Sequence, residues 1–395
     1  MVEPTILTMG VDTLKINVKL KEQTQTLPVE LEVCCSQWQE RAREQGKPVA
    51  TTMTFHDARM TLLPNGAPAW KYIVKNDCLQ VSLGARLHLP MVAKVTLSSA
   101  YLWEVGNIQD ALDEVHGFLI DLFGTHLLLQ AGQIDLCVDL IGLALPTEWE
   151  QVFISHAIGK RPIGASQKDR AFYCGRTLET VLFSGHGSPV SCKLYNKTAE
   201  IKQRSPGKVW LHDLWRRTTH PDGTPVWNED EHTPKDKQVP VWRVEFSLER
   251  TGLHEMQLED VQDVLTNIKR IWAYCTCDWL RMVIPGPSKN RHRWLTHPTW
   301  ALIQHAFDDY DKIPLEGLGP LVRKRQRAAD IERGIAQVAG QLTTLAAWYQ
   351  ELAQEVDALD VFHAVYTQVV ERWAARDVDV AAIVQHKRIL YHQVP

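Results

Sequence analysis

The chain has 395 residues, is 45% hydrophobic and 23% charged, and carries a formal net charge of −4, a balance that fits a folded chain long enough for one large domain and a smaller one. No apolar run approaches the ~20 residues of a bilayer-spanning helix, which excludes a helical membrane protein. Met1 to Leu20 alternates charged and apolar residues instead of running basic and then apolar as export signals do, so a cytoplasmic protein is expected.

The eight cysteines form no CxxC pair and have no histidine at zinc-finger spacing; free buried thiols in a reducing compartment are expected. The acidic net charge speaks against a uniformly basic binder, but basic residues are clustered. Lys160, Lys168, Arg170, Arg176, Lys193, Lys197, Lys202, Arg204 and Lys208 fall in one stretch, and Lys289 to Arg293 and Arg323 to Arg327 form two more. One such run usually means a solvated face, whereas three suggest a segmented footprint for an anionic polymer.

In chain order, Leu14 to Leu20, Cys78 to Leu83 and Val92 to Leu97 read as strands, the first two by clean alternation. Asn107 caps a helix whose apolar positions Ile108, Ala111, Leu112, Val115, Leu119 and Leu122 form one stripe ending at Gly124. Three later strands carry ionisable groups. Ile134 to Leu140 turns Asp135 and Asp139 away from its apolar side; Cys192 to Lys197 groups Lys193, Tyr195 and Lys197; Val241 to Glu249 exposes Arg243, Glu245 and Glu249 opposite Trp242, Val244, Phe246 and Leu248. Strands with one apolar and one ionisable side predict an α+β fold, a central antiparallel sheet with helices on one face and a working surface on the other. A single helix from Leu258 to Arg281 is expected as part of that cover, with Trp272 and Trp279 in the core.

The stretch Arg217 to Pro240 reads as a loop or insertion, and Ile284 to Ser288, with two prolines and a glycine, as a boundary. A catalytic domain over 1–285 and an all-α domain over 286–395 are therefore expected. Trp348 and Trp373 read as core residues of the latter, and Trp294 and Trp300 as base-stacking or interdomain residues. The Gly-rich turn Ser184 to Ser188 offers amides to a phosphate or is simply a hairpin tip, and His186 within it is at most an outside candidate for a ligand.

Five segments together resemble the Rep_trans family of replication initiation factors. They are Ile134-Asp135-Leu136-Cys137-Val138-Asp139, Phe172-Tyr173-Cys174-Gly175-Arg176, Lys193-Leu194-Tyr195-Asn196-Lys197-Thr198-Ala199-Glu200, Lys208-Val209-Trp210 and Trp242-Arg243-Val244-Glu245-Phe246. The resemblance runs from about Val11 to Arg281 and implies an HUH/Rep-like sheet and a rolling-circle initiator that nicks and rejoins DNA. It implies Tyr195 as the nucleophile that forms a 5′-phosphotyrosine, with Lys193 and Lys197 favouring the phenolate and touching the flanking phosphates. Tyr173 is the rival nucleophile. It also implies a divalent cation, and since no His-x-His strand exists, carboxylates would supply the ligands to Mg²⁺ or Mn²⁺. Asp135 and Asp139 lie about 13 Å apart along an extended strand, so Asp135 with Glu245 is the expected pair, and Glu200 and Asp139 are reserves. The same acids have an alternative reading as salt-bridge partners of Arg243 or Arg176.

Arg176 and Arg243 are expected to grip the scissile phosphate, Arg243 alternatively forming a cross-strand ion pair with Glu245 or Asp135. Lys202, Arg291 and Arg293 are further expected DNA contacts. The implied partners are origin DNA with a single-stranded or hairpin nick site, a host helicase and a second copy of the chain, without a membrane. Two alternatives remain open: a conjugative relaxase of an integrative element, and a regulator that binds DNA without cutting it.

Overall fold

In the computed structural model the residues described are 2–21, 25–85, 90–124, 126–146, 149–156, 171–174, 177–184, 188–229, 233, 238–310, 320–323, 338, 341 and 358–375. The chain opens with a long strand β1 (Thr5–Leu20), helix α1 (Val29–Gln45) and four strands β2 (Val49–Phe55), β3 (Ala58–Leu62), β4 (Trp70–Lys75) and β5 (Leu79–Ala85). Strand β6 (Ala93–Leu97), helices α2 (Ser99–Val105) and α3 (Ile108–Phe123), and the second long strand β7 (Leu127–Ile141) follow. After α4 (Trp149–Val152) and β8 (Phe153–Ser155) come β9 (Ala171–Cys174), β10 (Thr177–Phe183), β11 (Val190–Asn196), α5 (Lys197–Gln203) and α6 (Trp210–Trp215). The rest of this region is β12 (Trp242–Glu249), α7 (Arg250–Glu255), α8 (Val261–Thr266), α9 (Ile268–Ala273), β13 (Leu280–Ile284), β14 (Leu295–Thr296) and α10 (Pro298–Gln304).

Among the described residues eleven strands form one sheet in the order β2-β3-β4-β5-β6-β1-β7-β12-β11-β10-β9, and its ladders are antiparallel. The fold is α+β, as the strand patterns predict. Ile134, Leu136 and Val138 of β7, Leu194 of β11 and Val244, Phe246 and Leu248 of β12 share one core with Ala111, Val115 and Leu119 of α3 and with Val264 and Ile271. Asn107 caps α3 through Gln109 N, and Gly124 closes it. Close approach of backbones explains a glycine in α7. A Cβ on Gly252 would stand 2.2 Å from the carbonyl oxygen of Pro189, so Gly252→Ala should lower the unfolding free energy by about 1–3 kcal/mol, read from a urea titration, because backbone must shift to relieve the clash.

The helix expected from Leu258 to Arg281 is broken. Asp260 caps α8, Asn267 ends it and begins α9, a π-helical turn covers Tyr274–Trp279, and Leu280 to Met282 then pair with β8 as a strand. Apolar residues at mixed spacing serve short helices and a mostly buried strand equally well, and only the pairing with β8 decides between them.

Two compact units are present, Met1–Lys324 and Arg325–Pro395, so the division falls later than the Pro-Gly-Pro segment suggests. The reason is α10. Trp300 is fully buried, its indole N–H donates to the Thr276 carbonyl at 2.9 Å and its ring meets Phe153 edge-on, while Trp272 donates to the Ile303 carbonyl at 2.8 Å. Trp300 is thus a core residue, not a base-stacking one. In the second unit, helix α11 (Ala358–Ala375) leaves Trp373 43% exposed, so that residue does not join a core; Trp348 lies outside the described residues. Among the described residues no helix is long and apolar enough to cross a membrane. The seven cysteines with described side chains are free, Cys277 exposed among them.

The segment read as an insertion contributes Trp227, with Val226 and Val239 packed alongside, to a second, smaller core that also holds Trp215, Val241, Leu7, Ile141, Ile201 and Leu211. Its place at the ends of β1 and β7 matters for the site below.

Candidate active site

Residues paired across an antiparallel ladder project to the same face, so register alone lays out this surface. Tyr195 pairs with Thr180 on one side and Arg243 on the other, and Arg243 pairs with Asp139. One row along, Lys193 pairs with Leu182 and with Glu245, and Glu245 with Cys137. The next row sets Ser191, Ser247 and Asp135 side by side. Four strands thereby bring groups that lie far apart in sequence onto one patch.

At its centre the Tyr195 hydroxyl donates to Glu245 Oε2 at 2.9 Å. The other carboxylate oxygen, Oε1, faces Lys193 Nζ at 3.4 Å. Lys197 Nζ lies 3.5 Å from the phenol oxygen and 5.4 Å from the ring centroid, in cation–π range. Lys197 does not continue the strand as expected. Asn196 caps α5 by accepting from Ala199 N, and Lys197, the first residue of that helix, folds back over Tyr195 while pairing with Glu200 Oε2 at 2.7 Å. It is 1% exposed, whereas Lys193 is half exposed.

Burial, followed by the Glu245 charge, holds the Tyr195 phenol well above its ordinary value, which favours the protonated hydroxyl that donates to the carboxylate. Burial and then Asp12 raise the Glu245 carboxyl. The charge of Lys193 is strengthened chiefly by Glu245, while burial and then Arg243 weaken that of Lys197. A neutral phenol beside a carboxylate of raised basicity is an acid–base couple, ready to lose its proton as a bond forms at oxygen.

Beneath the couple, Arg243 is fully buried. Its Nε and Nη2 donate to the two oxygens of Asp139 at 2.6 and 2.8 Å, and Nη1 donates to Asp12 Oδ1 at 2.6 Å. The second core supplies one more donor, the Trp215 indole N–H to Asp139 Oδ2 at 2.9 Å. Arg243 and Asp139 therefore belong to a structural ion pair and not to a phosphate grip or a cation site. The alternative partners Glu245 and Asp135 are not the ones it takes. Asp12 is the residue that sequence reasoning missed. It sits where β1 bulges between Val11 and Thr13, and accepts from Ser99 Oγ at 2.9 Å. Burial would raise its carboxyl, but Arg243, with help from Lys208 and Lys197, outweighs that and draws it down to about 2.

The remaining acids are also engaged. Asp135 is buried, accepts from Gln133 Nε2 at 2.8 Å, and is raised by that burial; Gln133 in turn reaches Ser247 and Lys15. Glu200 accepts from Ser205 as well as pairing with Lys197. Among the described residues no three His, Cys, Asp or Glu side chains gather into a group that could hold a metal ion. As they stand, Asp135, Glu245, Glu200 and Asp139 do not fit a divalent cation, because each already faces a protein donor.

The expected DNA contacts scatter. Arg291 donates to the carbonyls of Glu150, Gln151 and Phe153 at 3.2, 2.8 and 3.0 Å and stacks on Trp294, tying down α4 and the start of β8. Trp294 itself donates to the Ser288 carbonyl. Lys202 pairs with the buried Glu229 at 3.6 Å. Arg293 closes an exposed 3₁₀ turn, Arg291–Arg293. Arg176 and His186 lie outside the described residues, as does the side chain of Tyr173, whose backbone belongs to β9 opposite Leu178.

Tyr195 lines an open cavity of about 440 Å³. Lys193, Glu179, Glu200, Gln203 and Arg204 complete much of its lining.

No family model and no curated protein matches the sequence. Among solved structures, the chain is similar to a rolling circle replication initiator protein from Geobacillus stearothermophilus. The two share 13% identity over 80% of this chain and 99% of that chain, with a TM-score of 0.43.

Proposed function

We propose that this chain cuts and rejoins a DNA strand as a rolling-circle replication initiator, with Tyr195 as nucleophile and Glu245 as its base. The observation that carries the reading is the Tyr195 hydroxyl held 2.9 Å from Glu245 at the wall of an open cavity flanked by an exposed lysine and an exposed arginine. A tyrosine buried only for packing needs no carboxylate of raised basicity behind it and no cavity in front.

In this reading Glu245 takes the phenolic proton as the Tyr195 oxygen bonds to the scissile phosphorus. The bond from phosphorus to the 3′-oxygen breaks, and that oxygen takes a proton from water on the open side of the cavity. The products are a 5′-phosphotyrosine and a free 3′-hydroxyl. The tyrosyl phosphodiester keeps the energy of the broken bond, so a 3′-hydroxyl can reverse the step without ATP. Lys193 and Lys197 supply positive charge beside the reacting oxygen.

Supercoiled plasmid carrying the DNA that flanks this gene, incubated with the protein with and without Mn²⁺, tests the proposal. Relaxed circles with covalently attached protein are expected. Tyr195→Phe should lower adduct formation by at least about 10³-fold and leave DNA retardation in a gel intact. An adduct that persists in Tyr195→Phe would remove the basis of the proposal.

A further inference from the structure

We infer that the cavity beside Tyr195 seats one unpaired guanine of the DNA strand, its Hoogsteen edge against Arg204 and its Watson–Crick edge against Glu179. The inference deepens the nuclease reading and rests on it, because the cavity's occupant is taken to be part of the strand being cut.

Size and lining both point there. About 440 Å³ lies in the range of pockets that enclose a small ligand, and a base can enter such a pocket only once it is free of its partner strand. Most charged groups near Tyr195 are already engaged, Glu245 by Tyr195 and Lys193 and Glu200 by Lys197 and Ser205. Three lining side chains are different. Glu179 beside Thr180 on β10, and Gln203 and Arg204 at the end of α5, line the cavity and make no side-chain hydrogen bond or ion pair among the described residues. The lining therefore offers a guanidinium fork of paired donors and a carboxylate with paired acceptors.

Guanine is the base that answers both. It presents two neighbouring acceptors, O6 and N7, on one edge, which an arginine takes bidentately. On another edge it presents two neighbouring donors, N1–H and the N2 amino group, which suit a carboxylate. Adenine sets a donor beside an acceptor on its Hoogsteen edge and suits an amide better. Cytosine offers Glu179 only one donor group, and thymine has no exocyclic donor.

The test uses full-length Tyr195→Phe, so that binding is measured without cutting. Fluorescence anisotropy would compare fluorescently labelled pentathymidylate with the same oligomer carrying a single central dG, dA or dC. The dG oligomer should bind about tenfold or more tightly than the other three, the discrimination expected of a good bidentate contact. Arg204→Ala and Glu179→Gln should each flatten that preference; Arg204 is exposed and Glu179 half-buried, and the glutamine keeps the size and shape of the glutamate, so the fold should stay intact. Equal affinities, preference for another base, no binding of any oligomer, or a dG preference that survives both substitutions would each overturn the inference. Because no strand is cut in this assay, its outcome is independent of whether Tyr195 forms an adduct.

Discussion

Arg243→Met should destabilise the protein by about 3–5 kcal/mol, among the larger single-residue losses available in this fold. The guanidinium is 0% exposed and stands between Asp139 and Asp12, at 2.6 Å from each. Removing it leaves two carboxylates buried without their cation, and an orphaned buried charge costs far more than an intact buried pair contributes. The double variant Arg243→Met/Asp139→Leu should recover part of the loss, since it removes one orphan together with the cation. Urea unfolding of the three proteins decides the matter. A loss below about 1 kcal/mol for the single variant, the scale of an exposed ion pair, would show that the fold does not depend on Arg243 to neutralise Asp139 and Asp12.

Glu245→Gln should lower the rate of Tyr195 adduct formation by about 10²–10⁴-fold, the usual contribution of a positioned general base. The amide oxygen can still accept the Tyr195 hydroxyl, so fold and oligonucleotide affinity should change little. The pH profile separates a base from a mere positioning group. Glu245 must be ionised to accept the proton, and burial followed by Asp12 raises its carboxyl. The wild-type rate should therefore fall, as pH drops, at a pH above the ordinary glutamate value of 4.5, and the glutamine variant should lack that limb. An unchanged rate in the variant, or a profile with the same acid limb, would remove Glu245 from the chemistry.

Much of the site was legible in the sequence because alternation assigns each strand residue to a face without any knowledge of neighbours. The three strands with ionisable sides follow from that alternation, as does the place of Tyr195 with Lys193 on one face of β11 and of Glu245 on the ionisable face of β12, while the helix from Asn107 to Gly124 follows from the 3.6-residue repeat. The place of Lys197 did not, although a signal existed: Asn196 is a favoured helix cap, and a cap ends the strand and turns the next residue off its face. For Trp300 the sequence leaves base stacking and packing both open, and its burial against Phe153 and Thr276, which lie far away in sequence, decides for packing.

By itself the sequence determined which side chains share a strand face, because the pleat repeats every two residues whatever lies beyond it. Only the tertiary structure decided which acid meets which base. Register across β11, β12 and β7 gives Glu245 to Tyr195 and Asp139 to Arg243, and the bulge in β1 brings Asp12 to the same arginine. Those pairings depend on strand order and on a one-residue irregularity, neither of which local periodicity encodes.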